Sequence, residues 1–357
     1  MTDSDKKPTR AIISVRHLVK HFPIQAGLLR REVGLVKAVD DVTFDLNEGE
    51  TLALVGESGC GKTTTSRCII QALRPTAGEV LFQMEAAQPP VDLALLEKRE
   101  LRAARRNIRM IYQDPYSSLN PRMNLLQIIG ECLVINHAVK SRAELQDRVA
   151  ELLRMVRLDP SYMNRYPHAF SGGQRQRIAI ARALALSPKV VIADEPVSAL
   201  DVSVQAQILN LIKQLQDELG LTYLFVAHNL AVVKYVSDHV AVMYAGKLVE
   251  TAETEALFME PKHPYTEALL SAAPNADPST RNRPRIVLTG EAADAGNLPS
   301  GCAFHPRCPY ARERCQQEAP ALAPVADAGE PARRAACHFA GELQLAGITG
   351  EMGRTKR

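Results

Sequence analysis

Residues Gly56 to Thr63 read GESGCGKT and satisfy G-x-x-x-x-G-K-[ST] in full. The glycines let backbone N–H groups turn inward around phosphates. Lys62 brings a point charge to the β- and γ-phosphates, and the Thr63 hydroxyl can ligate Mg²⁺. That is the chemistry of a nucleoside-triphosphate site, with Gly56, Glu57, Ser58, Gly59, Cys60, Gly61, Lys62, Thr63 and Thr64 as candidate nucleotide-binding residues. A second element, VVIADEP, runs four apolar residues into Asp194 and Glu195. An Asp at the end of a buried strand can hold the Mg²⁺ shell. The second carboxylate adds what the metal does not need, since it can orient the attacking water or accept its proton. A third stretch, AFSGGQRQR, sets a hydroxyl and two glycines ahead of a helical run and so forms another seat for an anion.

These groups need strands that end together and helices that begin there. The first 250 residues alternate strand-like and helix-like segments, the pattern of an α/β core. TLALVG, KVVIADEP and TYLFVAH read as buried parallel strands with chemistry at their C-terminal ends. Between Pro121 and Pro167 the β-branched runs vanish, and SRAELQDRVAELLRMVRL has helical spacing with Ser141 as its cap. A helical insert of about residues 121–168 is expected there. DHVAVMYAGKLVETA reads as two strands turning at Gly246. The basic run KRELRAARRNIR reads as a solvated helix face leading into a strand. Beyond Met259 proline, alanine and charge dominate. The expected division is a core over 11–258, a C-terminal domain over 259–343 and a frayed tail over 344–357.

A net charge of +3, from 43 basic and 40 acidic residues, gives no electrostatic reason to expect nucleic acid. No apolar stretch approaches the roughly 18 uninterrupted residues of a spanning helix. The opening MTDSDKKPTR lacks the apolar core of a secretory signal, so the expectation is a cytoplasmic chain. Cys302, Cys308, Cys315 and Cys337 crowd into one C-terminal stretch with spacing C-x5-C-x6-C-x21-C. In a reducing compartment such a cluster reads as metal-binding before disulfides. Four thiols suit tetrahedral zinc or an iron–sulfur cluster, and His305 or His338 could replace one in a zinc site.

Taken in order from Phe22 to His228, the residues resemble the ATP-binding subunits of ABC transporters. GESGCGKT resembles the family's Walker A loop, IYQDP its glutamine loop with Gln113, and VVIADEP its Walker B strand. FSGGQ is similar to the signature, with Phe170 in place of the usual leucine. SALD resembles the loop that follows Walker B, VAHNL carries the switch histidine His228, and Phe22 stands where the family stacks an aromatic on adenine. The resemblance implies a P-loop NTPase cassette, a RecA-like core with a helical insert, extended here by a small cysteine-containing region.

It also implies two cassettes facing head to tail, each signature closing on the other's nucleotide. Ser171, Gly172, Gly173 and Gln174 would then act in trans, and Asp201 would link the two sites. Glu195 would polarise the water, His228 would hold it in line, and Gln113 would report γ-phosphate occupancy. Thr63, Gln113 and Asp194 would hold Mg²⁺.

The tail motifs HPYTEALLSAAP and PSGCAFHPRCPYARERC resemble the C-terminal region of oligopeptide/dipeptide importer ATPases. The implied assembly is a bacterial importer at the cytoplasmic face of the inner membrane. It would hold two membrane-spanning permease subunits, a second ATPase subunit of different sequence and an external binding protein. The resemblance favours [4Fe–4S] over zinc at the four cysteines. Related importers also carry nickel complexes or other small solutes, and a soluble ABC-type ATPase without a transport role is the alternative reading.

Overall fold

The computed structural model describes residues 10–26, 31–85, 87–272, 286, 288, 290, 293–325 and 333–348. Two long antiparallel strands open the chain, β1 (Ala11–Ala26) and β2 (Arg31–Asn47). β3 (Thr51–Val55) leads through the phosphate loop into α1 (Lys62–Ile69). β4 (Ala77–Phe82) pairs with β1 and β5 (Val91–Asp92) with β4, giving a four-stranded sheet of order β2-β1-β4-β5. α2 (Lys98–Ala104) carries the basic run into β6 (Ile108–Ile111). α3 (Pro115–Ser118), α4 (Leu125–Ile135) and α5 (Arg142–Met155) then precede two 3-10 turns and α6 (Gly172–Leu184). β7 (Val190–Asp194), α7 (Val202–Leu219), β8 (Thr222–Ala227) and α8 (Leu230–Val236) follow. β9 (His239–Tyr244), β10 (Lys247–Glu253) and α9 (Thr254–Met259) come next. The C-terminal region supplies α10 (Pro264–Ala272), α11 (Glu313–Gln317), β11 (Ala323–Pro324) and β12 (Arg334–Ala335).

The second sheet has the order β11-β12-β10-β9-β3-β8-β7-β6. Its centre, β9-β3-β8-β7-β6, is parallel, and every residue of β3, β7 and β8 is buried. Such strands must be apolar on both faces, which explains their unbroken runs. Alternate residues divide between two cores, as the two-residue period of a strand requires. Ala53, Val55, Val191, Ala193, Tyr223 and Phe225 join the core that reaches the helices. Leu52, Leu54, Val190, Ile192, Leu224 and Val226 join the core under the antiparallel sheet.

The segment between Pro121 and Pro167 is helical, with Asn124 capping α4 and Ser141 capping α5 through a bond from the Glu144 N–H at 3.1 Å. The basic run is partly fastened to neighbouring backbone. Arg105 donates to the carbonyls of Ile70 and Gln71 at 2.8 and 2.7 Å, and Arg102 to that of Ile135 at 3.1 Å.

The C-terminal region packs on the same core. β12 pairs with β10, and Tyr265 and Phe304 are fully buried against Tyr244. Glu250 is fully buried on β10 and accepts from the N–H groups of Lys262 and His263 at 2.8 and 2.9 Å, beside Arg333 at 3.4 Å. The expected frayed tail departs from this in its first residues. The Ile348 N–H reaches the Phe258 carbonyl at 2.8 Å and the Ala346 N–H reaches Glu267 at 2.7 Å. Residues 349–357 lie outside the described ones.

His263 is 2% exposed, its Nδ1 accepts from the Tyr265 N–H at 3.0 Å, and burial pushes its pKa from 6.5 down to about 3. The folded chain therefore keeps this ring neutral where the unfolded chain would protonate it. Stability present above pH 6.5 is lost progressively as pH falls toward 3. Urea midpoints measured at several pH values should show this acid limb, and His263→Gln should flatten it. An unchanged acid limb in the variant would mean that another group takes up the proton.

Candidate functional site

The phosphate loop springs from the end of β3 because its neighbours leave it no other course. Gly61 caps α1 at φ 112°, and a Cβ there would lie 2.1 Å from the Ala38 carbonyl and 2.6 Å from Met243. Only glycine fits both the backbone and the space. Lys62 is 4% exposed, and its Nζ donates to the carbonyls of Gly56 and Glu57, both at 2.8 Å. The ammonium is thus held over the loop. Cys60 lies beneath it, 3.8 Å from Nζ, with burial pushing the thiol up, so it stays a neutral packing group.

Asp194 ends β7, is 2% exposed and accepts from the Thr63 hydroxyl at 3.0 Å. Burial raises its pKa, the Thr63 bond opposes that rise, and the neighbouring Glu195 adds to it. A hydroxyl and a costly buried carboxylate facing each other are hard oxygen donors suited to Mg²⁺. Glu195 follows at φ 46°, a left-handed backbone for a non-glycine residue that costs about 1–3 kcal/mol. Its N–H donates to the Val226 carbonyl at 3.0 Å, and Ser198 donates back to its carbonyl from N–H and Oγ at 3.2 and 3.1 Å. Gln113 Nε2 and His228 Nδ1 meet one carboxylate oxygen of Glu195, at 2.9 and 3.1 Å. Four expected residues from the ends of β6, β7 and β8 therefore converge.

The serine–diglycine corner stands elsewhere on the chain. Ser171 caps α6 in a reciprocal box: its Oγ accepts from the Gln174 N–H at 3.4 Å, and Gln174 Oε1 accepts from the Ser171 N–H at 3.0 Å. Gln174 is therefore engaged at its own helix. A Cβ on Gly173 would lie 2.4 Å from Val204 of α7, so that glycine is set by packing as well as by any anion. Phe170 is 5% exposed with its ring 5.6 Å from Tyr162, which shows what the departure from leucine does: it fills the insert's core. Asp201 stands at the N-cap position of α7 without a side-chain capping bond and is exposed, as Ser171 is, and Val202 beside it is 81% exposed. No hydrogen bond or ion pair among the described residues joins Ser171 or Asp201 to the phosphate loop. Phe22 is 36% exposed under Lys20, whose Nζ is 5.0 Å from the ring centroid. It pairs with Val36, two residues from the Ala38 carbonyl that closes on Gly61.

The four C-terminal cysteines do come together, lining one cavity with His305 and His338. The cavity holds about 20 Å³, room for one water. Burial pushes Cys308 and Cys337 to about 11 and raises Cys302, so these are protonated thiols at neutral pH. Among the described residues no group of three or more His, Cys, Asp or Glu could hold a metal ion. The expected [4Fe–4S] cluster, and zinc with it, finds no support in this arrangement of the described residues.

Two neighbours of the phosphate loop were not legible in the sequence. The Glu57 N–H donates to the Tyr265 hydroxyl at 2.8 Å, and Arg307 grips the Glu57 carboxylate with two nitrogens at 2.8 and 3.1 Å. Both come from the tail motifs, and nothing in local spacing ties a tail residue to a loop so far back.

The ABC transporter family pattern matches residues 39–198, and that of the oligopeptide/dipeptide transporter C-terminal region matches 249–315. A probable peptide ABC transporter ATP-binding protein, y4tS of Sinorhizobium fredii, is 51% identical over 95% of this chain and 93% of its own length. The oligopeptide transport ATP-binding protein AppF of Bacillus subtilis is 49% identical over 92% of this chain and 97% of its own. Among solved structures, the dimeric cassette MJ0796 bound to ADP and phosphate aligns with a TM-score of 0.59 at 28% identity, over 68% of this chain and 98% of that one. Described residues contain no helix long and apolar enough to cross a membrane.

Gly173→Ala should force α6 away from α7, because the γ-methyl of a β-branched valine cannot swing aside. The expected cost is about 1–3 kcal/mol by urea denaturation. Val204→Ala in the same chain should recover most of it; absence of recovery would mean that packing does not set this glycine.

Proposed function

This chain belongs to the ATP-binding subunits of ABC transporters that carry the oligopeptide/dipeptide C-terminal region, and on that premise we propose that its ATP hydrolysis drives uptake of di- or oligopeptides across a bacterial inner membrane. The observation that carries the reading is the joining of Thr63 to Asp194 and of Gln113 and His228 to Glu195, at the ends of adjacent strands. Lys62 and the loop N–H groups bind the β- and γ-phosphates. Bound Mg²⁺ supplies charge neutralisation there, with Thr63, Asp194 and Gln113 to hold it. Glu195 orients the attacking water through the carboxylate oxygen that Gln113 and His228 leave free. Its strained but anchored backbone fixes that oxygen before the nucleotide arrives.

The site is finished by a second ATPase subunit of different sequence. In this reading Ser171, Gly172, Gly173 and Gln174 face the partner's γ-phosphate, with Asp201 at the seam, and Phe22 stacks on adenine. Exposure of Ser171, Asp201 and Val202 supports such a seam. Two permease subunits and an external binding protein complete the importer, and this chain sits peripherally at the cytoplasmic face, without nucleic acid. The cysteine cavity enters as a brace of the C-terminal region. Iron, zinc and sulfide analysis of anaerobically purified protein tests that role: one stoichiometric metal per chain would mean that the thiols open to take it.

Glu195→Gln should bind ATP with little loss and turn over at least about a hundredfold more slowly, accumulating a closed dimer by gel filtration. Near-normal turnover would remove Glu195 from its assigned role. Ser171→Arg should spare ATP binding yet halt hydrolysis in the assembled transporter, whereas Lys62→Ala should weaken binding itself by about tenfold or more. Unimpaired uptake of radiolabelled peptide by cells carrying either variant would sink the coupled mechanism.

A further inference from the structure

Glu57 is the second residue of a loop that collects phosphates, and its charge has the wrong sign for that place. The structure deals with it from far away in the sequence. Arg307 lies 250 positions on and closes on both carboxylate oxygens, at 2.8 and 3.1 Å. The pair is partly shielded, with the Arg307 and Glu57 side chains 9% and 29% exposed, so water screens it less than it would an open surface pair. Two-nitrogen grips of this kind are strong and directional. The main chain of Glu57 is held as well, since its N–H is committed to the Tyr265 hydroxyl at 2.8 Å.

Both anchors are themselves fixed by the C-terminal region. Arg307 ends the 3-10 turn His305–Arg307, with its N–H on the Phe304 carbonyl at 3.0 Å. The Phe304 ring packs 5.2 Å from Tyr244, 5.7 Å from His263 and 5.4 Å from Tyr265. One aromatic cluster therefore seats both residues that reach the loop.

We propose that Arg307 and Tyr265 are positioning residues of the ATP site: the guanidinium neutralises the loop's own carboxylate and the phenol pins its main chain, so that the C-terminal region must be docked for the loop to accept a triphosphate. The inference rests on the ATPase reading above. It assigns the cysteine-containing extension a task in nucleotide binding. It also gives the tests a distinctive sign, because the harm done by losing Arg307 comes from Glu57.

The test uses the full-length chain titrated with a fluorescent ATP analogue and Mg²⁺, with circular dichroism as a check on folding. Arg307→Met should weaken binding about tenfold, as an uncompensated carboxylate beside the triphosphate requires. Glu57→Gln alone, which keeps the loop's main chain and removes only its negative charge, should bind ATP more tightly than the wild type. The double variant, Glu57→Gln with Arg307→Met, should regain most of the lost affinity, and added salt should narrow the deficit of Arg307→Met. Tyr265→Phe should weaken binding by a smaller factor, and Arg314→Met, whose exposed partner is Glu318, should change nothing. Additive losses in the double variant, or an Arg307→Met chain that binds like the wild type, would overturn the inference. If Arg307→Met does not fold, Glu57→Gln still decides, because a loss of affinity on removing that carboxylate contradicts the proposal. A wild-type chain that binds no ATP would fail the ATPase reading itself, a separate result.

Discussion

The site depends on one constraint: adjacent parallel strands must stop at the same level. The register sets Val55 of β3 against Ala227 of β8, and Asp194 of β7 against Val226 of β8. On β6, Ile111 pairs with Ala193 of β7. The next residues along each chain are the phosphate loop, Glu195, His228 and, two positions past Ile111, Gln113. A one-residue slip in any pair would turn every side chain to the other core and move one partner out of reach. The two apolar cores resist such a slip, because alternate residues of the same strand are committed to different sides. Burial in the strands thus fixes distances near 3 Å between groups from four separate parts of the chain.

Much of this was legible because buried parallel strands leave a plain trace in the sequence. TLALV, VVIAD and TYLFVA are unbroken apolar runs, and each ends where the chemistry begins. The helical insert announced itself by spacing and by the Ser141 cap. Less legible were the glycines of the signature. Their position before a helix suggests an anion, yet Gly173 is also demanded by Val204, a contact that sequence spacing does not reveal. The C-terminal region was least transparent. Its composition suggested loose structure, whereas its aromatic residues bury fully against β9 and its last described residues bond back to Phe258 and Glu267. The cysteine spacing rightly suggested convergence; the tightness of the resulting cavity is a three-dimensional property.

Polar groups around the loop follow a single economy of charge. Lys62 lies over two carbonyls, Asp194 is buried against a hydroxyl, and Glu57 is turned to an arginine. Each arrangement keeps a charge near the nucleotide without leaving it bare, since an unpaired buried charge is far costlier than a paired one. Glu195 differs. Its strained backbone is held by three hydrogen bonds while its carboxylate shares two neighbours on one oxygen, which leaves that side chain poised rather than spent.

In the large sheet β12 lies beside β10 and covers one of its edges. That edge is thus closed by residues some eighty positions further along the chain. A polypeptide released early would carry every phosphate-binding residue and still present a bare strand to its neighbours, an invitation to aggregate. Two residues of pairing from β12 thus shield the sheet from edge-to-edge association, a task apart from the chemistry at the strand ends.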